Sequence, residues 1–110
     1  MTFTLPEPIA AFVEGVNRHD ESAFLDAFTP DGFVDDWGRI FTGRDAIKSW
    51  SDKEFIGARG TMTVTTATTS AATTEVLADW RSNWANGPSA FAFVTDGDKI
   101  ASMTIRDGHA

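Results

Sequence analysis

The stretch FVDDWGRIFTGRDAIKSW, residues 33–50, combines a short strand, a break and the start of a helix. Phe33–Trp37 is rich in residues that favour strands, and Gly38 breaks this run. Arg39–Phe41 predicts a further short extended piece. Thr42–Asp45 then has the capping-box pattern that opens a helix. The rest of the chain can be placed around this order of strand, break and helix.

Two helices are predicted before this stretch. Thr4–Glu7 is a capping-box pattern with Thr4 as the N-cap. An apolar helix face follows, formed by Ile9, Phe12, Val13 and Val16. Asp20 can cap a second, shorter helix, and Thr29–Gly32 predicts a turn. In the third helix, Ile47 and Trp50 are expected to face inward.

Four strands are predicted after the third helix, and they form an antiparallel meander. Their spans are Thr61–Ser70, Glu75–Ala85, Ser89–Thr95 and Ile100–Arg106. Helices followed by strands favour an α+β fold. We therefore predict one cone-shaped domain, residues 1–110, in which a curved antiparallel sheet wraps around three N-terminal helices and leaves a cavity at its mouth.

The composition argues against several classes of function. The chain has no cysteine, which excludes disulfides and zinc–thiolate sites and favours a cytoplasmic protein. Its net charge of −7 disfavours binding to nucleic acid. Met1–Pro6 lacks the features of a signal peptide, and no apolar run is long enough to cross a membrane. No phosphate-binding glycine loop is present, and we expect no cofactor.

Six segments, in order and spread over nearly the whole chain, carry a resemblance to a known family. They are Asn17–Asp20, Phe24–Phe28, Pro30–Asp31, Asp35–Gly38, Phe41–Ile47 and Asp98–Met103. Together they resemble SnoaL-like domains of the nuclear transport factor 2-like superfamily, which includes ketosteroid isomerases, polyketide cyclases, dehydratases, hydrolases and binding proteins. The resemblance implies a pocket for a small apolar molecule and a homodimer formed through the outer sheet face.

The resemblance also implies a catalytic residue. In the isomerases of this superfamily an Asp at the end of the first strand is the general base, and Asp36 matches that position. Because successive side chains of a strand point to opposite faces, only one of Asp35 and Asp36 can face the pocket, and the sequence leaves open which one does. A structural alternative for Asp36 is an ion pair with Arg39.

Steroid isomerase chemistry itself is not expected. That reaction needs an oxyanion hole made by a Tyr and a protonated carboxylic acid. The chain has no Tyr, and the resemblance places Phe12 at the Tyr position. The second acid falls near Ser89 or Ala90, neither of which is acidic.

Aromatic and sulfur-containing residues are the candidates for the pocket wall. With Asp35, the predicted ligand-binding residues are Trp37, Trp50, Phe55, Met62, Trp80, Trp84, Phe91 and Met103. Packing in the core is the structural alternative for each of them. Trp80 and Trp84 are predicted on one strand face, which is either the pocket wall or a dimer interface. Glu54 is a further candidate for the pocket mouth.

The two histidines, His19 and His109, do not predict a metal site. His19 is expected at the end of the first helix, where the helix dipole favours a cation.

Three functions remain open: an enzyme that transfers a proton with Asp36 as base, a non-catalytic binding domain with the same pocket, and a structural dimerising module.

Overall fold

The computed structural model describes residues 4–108 and has the predicted α+β architecture. Helices come first and the main strands follow. In chain order the elements are α1 (Glu7–Asn17), α2 (Glu21–Asp26), β1 (Phe28–Asp36), β2 (Arg39–Thr42), α3 (Arg44–Glu54), β3 (Thr61–Ser70), β4 (Thr73–Arg81), β5 (Gly87–Asp96) and β6 (Lys99–Asp107). Among the described residues, no helix combines the length and the apolar character needed to cross a bilayer.

All six strands form one curved, unclosed sheet in the order β2-β1-β6-β5-β4-β3. The predicted antiparallel meander is present as β3 to β6. The sheet is mixed, however, because β1 pairs with β6 in parallel. These two strands are separated along the chain by β2, α3 and β3 to β5, so local sequence patterns do not reveal their pairing.

The core lies between the helices and the inner face of the sheet. The apolar face of α1 contributes Phe12, whose ring centroid is 5.5 Å from that of Phe24, 5.8 Å from that of Phe28 and 5.3 Å from that of Phe93. All four rings are buried. Position 12 is therefore filled by core packing, and it offers no hydroxyl to a ligand.

The predicted caps of α1 and α3 are wrong, whereas the cap of α2 is confirmed. Helix α1 begins at Glu7 after Pro6, and no side chain caps it. A proline disfavours helical geometry in the residue before it, so a helix beginning next to Thr4 would meet Pro6. Helix α3 follows Gly43, because Thr42 belongs to β2. Asp20 caps α2 and accepts a 3.1 Å hydrogen bond from the Ala23 N–H.

Strand β1 begins earlier than predicted, so the turn predicted over Thr29–Gly32 lies within the strand. The pairing of β1 with β6 is irregular between Phe28 and Phe33, and this irregularity contains the turn-like residues. The polar sequence therefore marks a bulged part of a strand. The regular part of β1, up to Asp36, leads directly to the candidate site.

Candidate functional site

A cavity of about 180 Å³ opens beside the end of β1. The β1–β2 turn, the end of α3 and the loop between β4 and β5 surround it. Its wall includes every tryptophan of the chain, which has four. The lining residues are Asp36, Trp37, Arg39, Trp50, Glu54, Phe55, Trp80, Trp84, Ala85, Ser89, Phe91 and Ile105.

Strand pairing brings the inner wall of the cavity together. Asp36 on β1 lies beside Ile105 on β6 in the parallel pair, and Ile105 lies beside Phe91 on β5 in the antiparallel pair. Ser89 is two residues before Phe91, so both side chains lie on the same face of β5. Strands β1, β6 and β5 thus place the Asp36 carboxylate next to the apolar side chains of Ile105 and Phe91.

Asp36 is only 8% exposed, and its Oδ2 atom has two donors. The indole Nε1–H of Trp50 donates a 3.0 Å hydrogen bond to it, and the Nη2 group of Arg39 donates a second one. The other oxygen, Oδ1, accepts no hydrogen bond from residues 4–108. Asp36 therefore keeps one oxygen without a protein partner beside the cavity.

Arg39 connects the two carboxylates of the site. Its terminal nitrogens donate to both oxygens of Glu54, at 3.0 Å and 2.6 Å, and Nη2 also donates to Asp36. The hydrogen bonds to Glu54, followed by the one to Asp36, raise the pKa of Arg39 above its ordinary value. The guanidinium group is therefore charged and is shared between two carboxylates.

Asp35 does not line the cavity and has a different set of partners. Its carboxylate accepts hydrogen bonds from Arg106 at 3.0 Å and 3.2 Å and from the Gly38 N–H at 2.8 Å. The Arg106 bond and then the Gly38 bond lower the pKa of Asp35. Of the two adjacent acids, Asp36 is the one at the cavity.

Stacked aromatic rings support the wall of the cavity. Trp50 lies between Phe41 and Phe55, with ring centroids 5.9 Å and 4.9 Å away. Phe55 stacks on Trp80 at 4.4 Å with an interplanar angle of 11°. Trp80 in turn contacts Phe91 in an edge-to-face arrangement, with ring centroids 6.2 Å apart. Because these rings pack against one another, each restricts the movement of its neighbours in the wall.

Trp37 lies at the first position of the two-residue turn that joins β1 to β2, where Asp36 pairs with Arg39. Both turn residues have positive φ, 55° for Trp37 and 92° for Gly38. Such turns favour Asn-Gly, and a bulky residue at positive φ is strained. The Trp37 side chain is nevertheless 62% exposed, so burial does not compensate for this strain.

Trp84 reaches the cavity from a loop and not from a strand. The predicted shared face with Trp80 is wrong, because β4 ends at Arg81. A tight turn follows, in which the hydroxyl of Ser82 accepts hydrogen bonds from the N–H groups of Trp84 and Ala85 at 3.1 Å and 3.0 Å. This turn leaves Trp84 62% exposed at the cavity.

Trp80 packs against a glycine. A Cβ atom added to Gly60 would lie 2.0 Å from Cη2 of the Trp80 indole. This is far inside van der Waals contact, so only glycine allows the ring to occupy its position. Gly60 therefore determines where one wall of the cavity lies.

Two polar residues, Asn17 at the end of α1 and His19 just after it, have a structural role. The side-chain amide of Asn17 pairs with the backbone of Met62, accepting from its N–H at 2.7 Å and donating to its carbonyl at 2.9 Å. His19 Nε2 lies 3.1 Å from the carbonyl oxygen of Gly60, so this nitrogen carries the proton. These bonds attach the end of α1 to the start of β3.

No group of three His, Cys, Asp or Glu side chains in the described part of the chain could hold a metal ion. His109 lies outside the described residues.

The predicted site residues fall into two groups. Those that line the cavity are Asp36, Trp37, Trp50, Phe55, Trp80, Trp84 and Phe91. Met62 and Met103 lie in the core and Asp35 on the opposite face, so these three do not contribute to it. Glu54 lines the mouth, as the sequence suggested. Of the other lining residues, the sequence analysis named Arg39 only as an ion-pair partner of Asp36 and Ser89 only as a position near the missing second acid. It did not name Ala85 or Ile105.

A model of the SnoaL-like domain family matches residues 9–109. The chain belongs to this family. The resemblance carried by the six sequence segments is thereby confirmed, and the matched range includes every residue of the cavity wall. No curated protein matches this SnoaL-like domain in sequence.

Several solved structures share the nuclear transport factor 2-like fold of this SnoaL-like domain. A candidate polyketide cyclase from Sinorhizobium meliloti has a TM-score of 0.82 at 21% identity, over 93% of this chain and 95% of that one. A Catenulispora acidiphila protein with a ketosteroid isomerase-like fold, solved with trimethylamine, has a TM-score of 0.73 at 24% identity, over 94% and 86%. The Anabaena orange carotenoid protein, solved with canthaxanthin, has a TM-score of 0.81 at 16% identity, over 96% of this chain but 37% of that one.

Proposed function

We propose that this SnoaL-like domain binds a small organic molecule in the cavity beside Asp36. The observation that carries the proposal is the convergence of all four tryptophans and one buried carboxylate on a single cavity. Ligand sites are typically apolar concavities with a few polar groups that fix orientation. The bound trimethylamine and canthaxanthin of two structural relatives support a ligand-binding use of this fold.

The size of the cavity restricts the ligand. Its volume of about 180 Å³ is below the ~300 Å³ at which pockets for drug-sized ligands begin. An engineered protein cavity of ~150 Å³ holds benzene. A compound of about one ring fits this space, whereas a steroid would need the cavity to open.

Proton transfer with Asp36 as the base is the second candidate function. The observation in its favour is the Oδ1 atom, which accepts no hydrogen bond from residues 4–108. Enolisation also needs a donor for the developing oxyanion. Trp50 and Arg39 already donate to Asp36, and the one hydroxyl in the wall, that of Ser89, donates to the Gly87 carbonyl at 3.4 Å. We therefore favour binding without catalysis.

The test compares two adjacent carboxylates. A panel of single-ring and smaller compounds, including enolisable ketones, is titrated while tryptophan fluorescence, thermal stability and turnover are recorded. A ligand should raise the melting temperature, because binding to the folded state adds stability. Asp36→Asn should weaken binding, whereas Asp35→Asn, outside the cavity, should leave it unchanged. Binding that both variants leave intact would place the ligand elsewhere; turnover lost only in Asp36→Asn would favour the enzyme.

We also propose a homodimer formed through the outer sheet face. This face has a shallow groove, and Leu77 is 40% exposed within it. Val94 on the next strand is 38% exposed. Light scattering at several concentrations tests the proposal, with Leu77→Lys as the disrupting variant and Glu14→Lys on α1 as the control. A monomer at every concentration would refute it.

A further inference from the structure

The charged groups at the cavity do not balance. Asp36 and Glu54 are two carboxylates, and Arg39 is the one guanidinium group among the lining residues. Both terminal nitrogens of Arg39 donate to these carboxylates. The three groups therefore carry a formal charge of −1, and the guanidinium is already engaged. An anionic ligand would meet net repulsion here.

The remaining wall suits a positive charge. Indole and phenyl rings carry negative electrostatic potential on their faces, and cages of such rings recognise ammonium ions. All four tryptophans line this cavity, together with Phe55 and Phe91. Trp37 and Trp84 are each 62% exposed, so their rings are accessible to a ligand.

Asp36 adds a specific acceptor to this aromatic wall. Its side chain is 12% exposed, and its Oδ1 atom accepts no hydrogen bond from residues 4–108. This oxygen is not fully buried, so it is open to a donor from water or from a ligand in the cavity. The N–H of a protonated amine would donate a hydrogen bond to Oδ1, and the positive charge of a quaternary nitrogen would be attracted to the carboxylate. The net charge of −7 of the whole chain would also steer cations toward the protein.

We infer that the cavity selects a small organic cation, a protonated amine or a quaternary ammonium ion, over a neutral molecule of the same shape. This inference rests on the proposed small-molecule function and adds the chemical class of the ligand. Its basis is the excess of carboxylate over guanidinium within an aromatic wall that has space for a compound of about one ring.

The direct test uses two compounds of nearly identical shape. Choline carries a trimethylammonium group, and 3,3-dimethylbutan-1-ol has a neutral carbon in place of the nitrogen. Each is titrated into the protein at constant ionic strength, with tryptophan fluorescence as the readout. We expect choline to bind about tenfold more tightly, in keeping with cation–π and carboxylate contacts in a partly desolvated site.

A charge variant tests the cause of the preference. Glu54→Gln should reduce the choline affinity several-fold and leave that of the neutral alcohol unchanged, because only the cation interacts with the lost charge. Asp79→Asn is the control, since Asp79 pairs with Arg81 and does not line the cavity. If Glu54→Gln does not fold, the salt dependence of the unaltered protein serves instead, since added NaCl should weaken only the binding of choline.

The outcomes separate this inference from the proposed function. Tighter binding of choline that depends on Glu54 supports both. Equal affinities, or tighter binding of the alcohol, would overturn the cation preference and leave the small-molecule site standing. Binding of neither compound, together with no response to the panel of single-ring compounds, would overturn both.

Discussion

The indole N–H of Trp50 donates a 3.0 Å hydrogen bond to Oδ2 of Asp36, which joins helix α3 to the last residue of strand β1. Both groups are buried. Hydrogen bonds to a charged acceptor are stronger than neutral ones, so this contact fixes the carboxylate at the cavity. The same helix ends at Glu54, which holds the guanidinium group of Arg39.

Trp50→Phe should therefore destabilise the fold. The substitution keeps an aromatic ring between Phe41 and Phe55 but removes the donor to Asp36. We expect a loss of about 1.5–3 kcal/mol in the free energy of unfolding, measured by urea denaturation, as for other hydrogen bonds to charged groups. Trp84→Phe, at an exposed ring, is the control and should change stability by less than about 0.5 kcal/mol. Equal effects would show that the hydrogen bond contributes little.

Trp37→Asn should have the opposite effect on stability. The residue has a φ of 55° in a two-residue turn, and Asn adopts this conformation more readily than Trp. We expect a gain of about 1 kcal/mol in the free energy of unfolding and weaker binding of the cavity ligand. Paired urea and fluorescence titrations measure both quantities. A less stable variant would indicate that contacts of the Trp37 ring outweigh the backbone strain.

Gly60→Ala should displace Trp80. The new methyl group would lie 2.0 Å from the indole, so the ring must move. We expect a destabilisation of about 1–3 kcal/mol, typical of overpacking, and a shift of the tryptophan emission maximum. Adding Trp80→Phe, which shortens the ring, should recover much of the loss. If the two substitutions are additive in free energy, their contact is not the cause.

The ion pair of Asp35 predicts a pH dependence. Its pKa in the folded protein is lowered by Arg106 and by the Gly38 N–H. The ionised Asp35 carboxylate therefore stabilises the folded protein fully above the pKa that it has in the unfolded chain, ~3.9. This stabilisation is lost as the pH falls through the lower pKa that Asp35 has in the folded protein. The difference in unfolding free energy between the parent protein and Asp35→Asn should be largest near neutral pH and shrink below that value. A constant difference across the series would contradict the assignment.

Most of the secondary structure could be predicted because its patterns are local. The spacing of Ile47 and Trp50 gave the buried face of α3, and alternation gave the buried face of β4 as far as Trp80. The β1–β6 pairing could not be predicted in this way, since it joins residues about 70 positions apart. That pairing places Asp36 beside Ile105, so part of the site depends on it.

The candidate site was predicted less completely than the fold. Met62 and Met103 were expected at the pocket, but hydrophobicity is equally satisfied in the core, where both lie. Trp84 lines the cavity for a reason different from the predicted one, because a Ser82 turn, and not strand alternation, positions it. Which of Asp35 and Asp36 faces the cavity depends on the arrangement of the sheet. Alternation along the strand shows only that the two side chains point to opposite faces.

The place of β6 in the sheet has a consequence for the order in which the molecule assembles. Residues 99–107 are the last strand along the chain, yet they lie between β1 and β5 and join the two parts of the sheet. A growing chain that has left the ribosome as far as β5 can form the hairpin of β1 and β2 and the antiparallel strands β3 to β5, but not the link between them. Long-range pairings of this kind form late and slowly. Asp36 and Phe91 lie on opposite sides of that link, so we expect the cavity to be among the last features of this domain to form.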